Sequence, residues 1–321
     1  MTIDRRTFLQ VSARAAVSAL ALDASKAFAK APPQETQAPG YYRFKVGTLE
    51  VTAITDGMLE LPLSLFPAAD KPSADALLAK AHRAEKAPTA VNTYVINTGE
   101  KLILVDTGYG TGAGAAAGYL QANLKAAGFY AGEVDAIITT HLHPDHVGGL
   151  LDAQGNPAFP NAALLVGERE YAFWNDEGNA SRAPAELQKF FQIAQNTTKP
   201  YGAQLHLYKN GEELVPGLHA ATAPGHTPGH TALQLSSGQD VMMIWGDIVH
   251  VGALQFPRPD WAIAFDVDPA QAIETRKVLF DRLASDGALV GGMHLDFPGI
   301  GYVAKEAQGY SFQHAMWSPK L

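Results

Sequence analysis

His141-Leu142-His143-Pro144-Asp145-His146 puts four metal-capable side chains into six positions. The preceding run, residues 134–140, is short, apolar and β-branched, which predicts a buried strand. Val147-Gly148-Gly149-Leu150 follows and opens a loop. The cluster therefore stands where a strand ends. On an extended segment side chains alternate, so His141 and His143 point the same way. Pro144 then turns the chain, and Asp145 and His146 face a second point nearby. A lone histidine at such a junction is usually structural, but packing alone rarely requires four of these residues together. Imidazole and carboxylate donors at two neighbouring points suit a pair of borderline divalent ions.

Working outward, the strand signals are Tyr42–Val46 paired with Leu49–Thr55, Asn92–Asn97 with Lys101–Val105, Ala162–Val166, Leu205–Tyr208, Leu218–Thr222, Thr231–Leu235, Val241–Trp245 and Ala288–Val290. Helices are predicted from Ser73 to about Lys86, over Gly112–Ala127, Glu168–Trp174, Ala185–Gln195 and Pro269–Leu283. Leu59 to Phe66 reads as an apolar loop, either a lid or partner contact, or an edge loop tucked into the core. Strands followed by a helix occur twice, which suits two sheets with helices outside. No linker divides the chain after residue 40, so residues 40–321 form one expected domain.

The first residues are read separately. Arg5-Arg6, an Ala/Val/Leu-rich run and Ala27-Phe28-Ala29 occur in the order of a twin-arginine export signal with its cleavage site. Residues 1–29 are thus expected to be a signal peptide and 30–39 a flexible leader. The expected partner is the twin-arginine translocation machinery, with a periplasmic or secreted mature protein that needs no membrane. A net charge of −8 gives no general nucleic-acid surface. Without cysteine there is no disulfide, thiolate ligand or cysteine nucleophile.

The His141–His146 run resembles the H-x-H-x-D-H motif of the metallo-β-lactamase superfamily, and that resemblance implies an α/β fold, an αββα four-layer sandwich of two mixed sheets with helices on the outside. It carries over residue by residue in family order. Pro224-Gly225-His226 resembles the loop of the third histidine, Gly246-Asp247 the strand-end bridging aspartate, and His294 the last histidine. The implied set is His141, His143 and His226 on one ion, Asp145, His146 and His294 on the other, with Asp247 shared. His230 is left structural. Asp106, in Asp106-Thr107-Gly108 at a strand end, is either a turn former or the group that orients a ligand histidine. The implied cofactor is two divalent ions, zinc by default, with manganese, iron or cobalt also suited to the donors. Two such ions about 3.5–4 Å apart lower the pKa of a water held between them, giving a bridging hydroxide as nucleophile. Asp145 and Asp247 are the catalytic carboxylates in this scheme.

Thr140 to Leu150, Gly246-Asp247, Phe256 to Pro259 and Phe265 to Asp268 resemble the methyl parathion hydrolase and dihydrocoumarin (lactone) hydrolase branch. That implies an aromatic pocket and a homodimer. His250, Ile263, Phe265, Trp174, Phe190 and Phe191 are the residues expected to meet substrate. A bulky histidine and phenylalanine favour a planar aryl lactone or aryl ester over a tetrahedral phosphotriester. The expected activity is therefore aryl lactone or ester hydrolysis with weak organophosphate triesterase activity. The alternatives are an organophosphate hydrolase, an acyl-homoserine lactonase, or a metal-holding scaffold without activity.

Overall fold

The computed structural model describes residues 33–83 and 86–321. The expected signal peptide, 1–29, lies outside the described residues. The chain divides into two units, residues 1–38 and 39–321. Residues 33–38 carry no helix or strand. Among the described residues no helix is long and apolar enough to cross a membrane.

Residues 39–321 build two seven-stranded sheets. The first holds, in spatial order, β1 (Tyr41–Val46), β2 (Leu49–Pro62), β3 (Lys86–Asn97), β4 (Leu102–Val105), β5 (Ala136–Ile138), β6 (Ala163–Gly167) and β7 (Leu205–Tyr208). The second holds β8 (Glu213–Val215), β9 (Leu218–Thr222), β10 (Thr231–Ser237), β11 (Asp240–Ile244), β12 (Leu289–Gly291), β13 (Ile300–Lys305) and β14 (Tyr310–His314), also as neighbours in chain order. β4 to β7 are parallel, as are β11 and β12. The other neighbouring pairs, such as β2 with β3 and β10 with β11, are antiparallel, so both sheets are mixed.

Side-chain alternation assigns the layers. In β4, Ile103 and Val105 face the second sheet and pack with Tyr94, Ile138, Leu233, Leu235 and Ile244. Leu104, between them, faces the opposite way with Leu120, Leu124, Ile137, Leu164 and Phe191. That outer layer includes α2 (Leu120–Ala126), the short α5 (Glu177–Arg182) and α6 (Ala185–Thr198). On the far side, after the one-turn α7 (Gly252–Gln255), α8 (Pro269–Asp286) covers the second sheet, with Leu279, Phe280 and Leu283 against Met243, Trp245 and Val290. The result is helices, sheet, sheet, helices, the four-layer sandwich expected from the resemblance.

Several boundaries depart from the sequence reading. The first predicted helix, α1, runs Lys71–Lys80; Asp70, not Ser73, caps it by accepting the Ser73 N–H. The alanine-rich stretch 112–127 is not one helix. A 3₁₀ turn at Gly110–Ala113 and a left-handed Gly118 interrupt it, and only α2 is α-helical. Pro144 opens a one-turn helix, α3 (Pro144–Val147), rather than a loop, as suits proline at a first helical position. The stretch Leu59 to Phe66, expected to be an apolar loop, is strand over its first half, since β2 continues to Pro62 before a 3₁₀ turn at Leu63–Leu65.

Candidate metal centre and active site

Every candidate donor arrives from a strand end on one rim of the sandwich. His141 follows β5, His226 lies between β9 and β10, Asp247 follows β11 and His294 follows β12. Carboxyl ends of parallel strands open onto a crevice there, where backbone groups are free of the ladder. His141, His143 and His146 are buried, as are His226, Asp247 and His294. Asp145 stays 17% exposed at its side chain and looks outward.

Three donor groups result: His141, His143, His226 and Asp247; Asp145, His146 and His294; and Asp247, His250 and His294; within each, the donor atoms lie within 4.8 Å of one another. The first two match the set implied by the resemblance. Asp247 lies between them. Its Oδ2 is 3.3 Å from His226 Nε2 and 3.7 Å from His141 Nε2, while Oδ1 is 3.1 Å from His146 Nε2. His294 Nε2 is 3.1 Å from Asp247 Oδ2 and 3.4 Å from Asp145 Oδ2. His250 also aims Nε2 at Asp247 Oδ2, at 3.1 Å, and stacks on His294.

The Nε2 atoms of His141 and His146 and Oδ1 of Asp247 are buried and have no hydrogen-bond partner, and His143 turns Nδ1 to within 2.9 Å of His226 Nε2. Leaving one such group unpaired costs about 1–3 kcal/mol, so their convergence calls for a cation. The opposite ring nitrogens are fixed. His146 Nδ1 donates to Asp106 at 2.7 Å, His226 Nδ1 to Asp266 at 2.8 Å and His294 Nδ1 to the Ala90 carbonyl at 2.8 Å. With the proton on Nδ1, each Nε2 lone pair is turned to the centre. The donors thus fit a dinuclear metal site.

The electrostatics divide the histidines. Against burial, Asp247 and the carboxylates near it hold His146 and His294 above the usual histidine range and His226 at about 9, protons that a bound cation would displace. Burial and the neighbouring imidazoles hold His141 and His143 well below the usual histidine range, keeping them neutral as ligands must be. Burial alone would raise Asp247, but the surrounding imidazoles outweigh it and hold the carboxyl well below its ordinary value. Burial, opposed by Asp247, lowers His250 to about 4.

The supporting residues show what the sequence hid. Asp106 accepts from the Thr140 backbone and hydroxyl as well as from His146, and adopts a left-handed φ of 59° to do so. Asp266 went unassigned, although it lies inside the Phe265–Asp268 segment; besides His226 it takes the Ile263 N–H. His230, left structural, donates Nδ1 to the Ala223 carbonyl and accepts the Asp247 N–H on Nε2, anchoring the shared aspartate. Gly246 is required there: a Cβ would come 2.4 Å from His230 Nε2, and its φ is +60°.

Above the donors is a cavity of about 100 Å³. Leu59 and Leu61 of β2, Phe190 of α6 and Phe265 form its apolar wall, and Thr89, Tyr109 and His250 contribute polar groups. Three residues expected to meet substrate do not line it. Trp174 is fully buried, donates its indole N–H to Glu170 and sets its ring edge against His143. Phe191 faces away from Phe190 around α6 and packs on Trp174. Ile263 is buried with Leu254 and Trp261.

A family model for the metallo-beta-lactamase superfamily matches residues 87–294. A solved structure described as the hydrolase AbOPH in the beta lactamase superfamily superposes with a TM-score of 0.84 and 34% identity, over 88% of this chain and 100% of that one. AidC, described as a dizinc quorum-quenching lactonase in complex with a product, gives 0.83 and 32%, over 87% and 98%. An N-acyl homoserine lactonase of a Bacillus species is 31% identical over 114 residues, 36% of this chain and 38% of that protein. The family match spans the rim from β3 to the last histidine, the span that carries all seven donors, and on it the chain belongs to the metallo-beta-lactamase superfamily as a metal-dependent hydrolase.

Proposed function

We propose that the chain hydrolyses lactones at a pair of zinc ions, with aryl lactones and aryl esters of the dihydrocoumarin kind as its best substrates. The observation that carries this is the pairing of seven convergent donors with a small cavity walled by Phe190 and Phe265. Bound divalent ions supply Lewis acidity at the carbonyl oxygen and lower the pKa of a water near the centre. The chain's own groups do the rest. The apolar wall takes a flat ring and sheds water from it. Asp145, partly open to solvent at the cavity floor, is placed to receive the proton that an attacking water releases. His250, neutral and cavity-facing, offers an imidazole to a carbonyl or leaving oxygen. A narrow cavity walled by Phe190 and Phe265 suits a planar ester better than a phosphorus centre with three bulky substituents.

A second reading is hydrolysis of acyl-homoserine lactones, favoured by the 32% identity to the dizinc lactonase over 87% of this chain. Purified, zinc-loaded protein assayed on dihydrocoumarin, N-hexanoyl-homoserine lactone and methyl paraoxon separates these. We expect kcat/KM to fall in that order. A highest value on the acyl-homoserine lactone selects the second reading, and a highest value on the phosphotriester contradicts both.

A further inference from the structure

Glu170 is a buried carboxylate that the chemistry above leaves without a task. It lies in the first turn of α4 (Glu168–Trp174) and is 1% exposed. Oε1 accepts the Leu142 N–H at 3.0 Å and the Trp174 indole N–H at 2.6 Å. Oε2 accepts the Thr227 hydroxyl at 2.6 Å and the Gly229 N–H at 3.0 Å. Four donors occupy the full acceptor capacity of a carboxylate. Burial raises its pKa, and these four bonds oppose the rise.

The partners are not scattered. Leu142 sits between His141 and His143, and Thr227 follows His226. Those three imidazoles make up one donor group with Asp247. Trp174, the fourth partner, packs on His143 in a T-shaped contact with ring centroids 5.4 Å apart. An independent observation shows how closely the second loop is seated. A Cβ on Gly229 would come 2.1 Å from the Glu170 nitrogen and 2.4 Å from its Cα, so that loop lies directly against the start of α4. Asp106 fastens His146 of the other donor group directly and reaches His141 only through Thr140, whereas the four bonds of Glu170 all go to Leu142, Trp174, Thr227 and Gly229.

We propose that Glu170 is a positioning residue that pins the His141–His143 loop to the His226 loop and so sets the affinity of that one metal position, leaving the Asp145–His146–His294 position unaffected. The carboxylate touches neither metal nor substrate; it fixes the backbone from which three ligands project. An amide in its place turns an acceptor into a donor that faces two other donors, which forces the loops apart.

The inference rests on the metal reading of the donors, and one titration tests the two separately. Metal-free wild type, Glu170→Gln and Thr227→Val are titrated with zinc against a chromophoric chelator, with His226→Ala and His294→Ala marking which binding step belongs to which position. Wild type is expected to take up two ions; failure to do so overturns the metal reading itself. In Glu170→Gln the step abolished by His226→Ala should weaken about 10- to 100-fold, the usual cost of losing a supporting partner, while the step abolished by His294→Ala stays within about twofold. Thr227→Val, which keeps the carboxylate and removes one donor, should show a smaller loss at the same step. Unchanged affinity, or equal weakening of both steps, overturns the proposal. If Glu170→Gln does not fold, as judged by thermal unfolding of the metal-free protein, Thr227→Val decides, and an unchanged first position in that variant overturns the proposal.

Discussion

The floor of the active-site cavity is polar and fastened; its wall is apolar and fastened only by packing. On the floor, four of the seven donors are braced from behind: His146 by Asp106, His226 by Asp266, His294 by the Ala90 carbonyl, and the Asp247 backbone by His230. On the wall, Leu59, Leu61, Phe190 and Phe265 come from a strand, a helix and a loop, and meet only as hydrophobic neighbours of the same space. A floor of this kind admits almost no change, because every buried polar atom that loses a partner leaves another unpaired. A wall of this kind tolerates exchange of shape. The difference separates what the protein does chemically from what it does it to.

The largest effect should come from the floor. Asp247→Ala removes the carboxylate that lies between the first two donor groups, and kcat/KM should drop on the order of a thousandfold or more, the scale seen when a central catalytic group is lost. A smaller drop, with two ions retained, would take Asp247 out of the centre. One layer back, Asp106→Asn and Asp266→Asn should each cost about 10- to 100-fold in activity or metal affinity, by releasing the His146 and His226 rings respectively. Equal values for wild type and variants in both assays would show that the rings hold their orientation unaided.

The wall should respond differently. Phe190→Leu combined with Phe265→Leu should shift the ratio of dihydrocoumarin to methyl paraoxon hydrolysis about tenfold towards the phosphotriester, with zinc content unchanged. A fall in bound zinc would erase the division between floor and wall. A separate effect, on stability and not on turnover, concerns the strand that carries the wall. Asp56 in β2 is pushed by burial from 3.8 to about 6, against three backbone N–H bonds from Tyr109, Gly118 and Leu120. The folded chain therefore holds this proton where the unfolded chain has lost it, between about pH 4 and pH 6. Stability from this group falls as pH rises through that window, by roughly 2–3 kcal/mol, and is flat above it. Urea unfolding of wild type and Asp56→Asn should show the gap between them changing over those pH values only. Parallel curves would assign the pH dependence elsewhere.

The same contrast explains what could be read from the sequence. The floor is dense in rare residue types at fixed local positions, so the His141–His146 run pointed to metal and to the sandwich together. The partners that brace it were harder. Asp266 and Glu170 are single carboxylates far from the histidine run in sequence, and their importance arises only when the fold brings them to His226 and Leu142. The wall was hardest, because aromatic residues carry no local mark of which face they present. Phe190 and Phe191 are adjacent on α6, and the turn of the helix sends one to the cavity and the other to the core. Trp174 was expected above the substrate and instead backs a ligand histidine. The helix predicted over 112–127 failed for another reason: alanine favours helix, but Gly118 and the glycines before it do not.

The most direct test is to strip the protein of metal and add zinc back while following dihydrocoumarin hydrolysis. Activity should be absent at the start, rise with added zinc and level off at two ions per chain. Full activity in protein shown to contain no metal would contradict the assignment of the seven donors to catalysis.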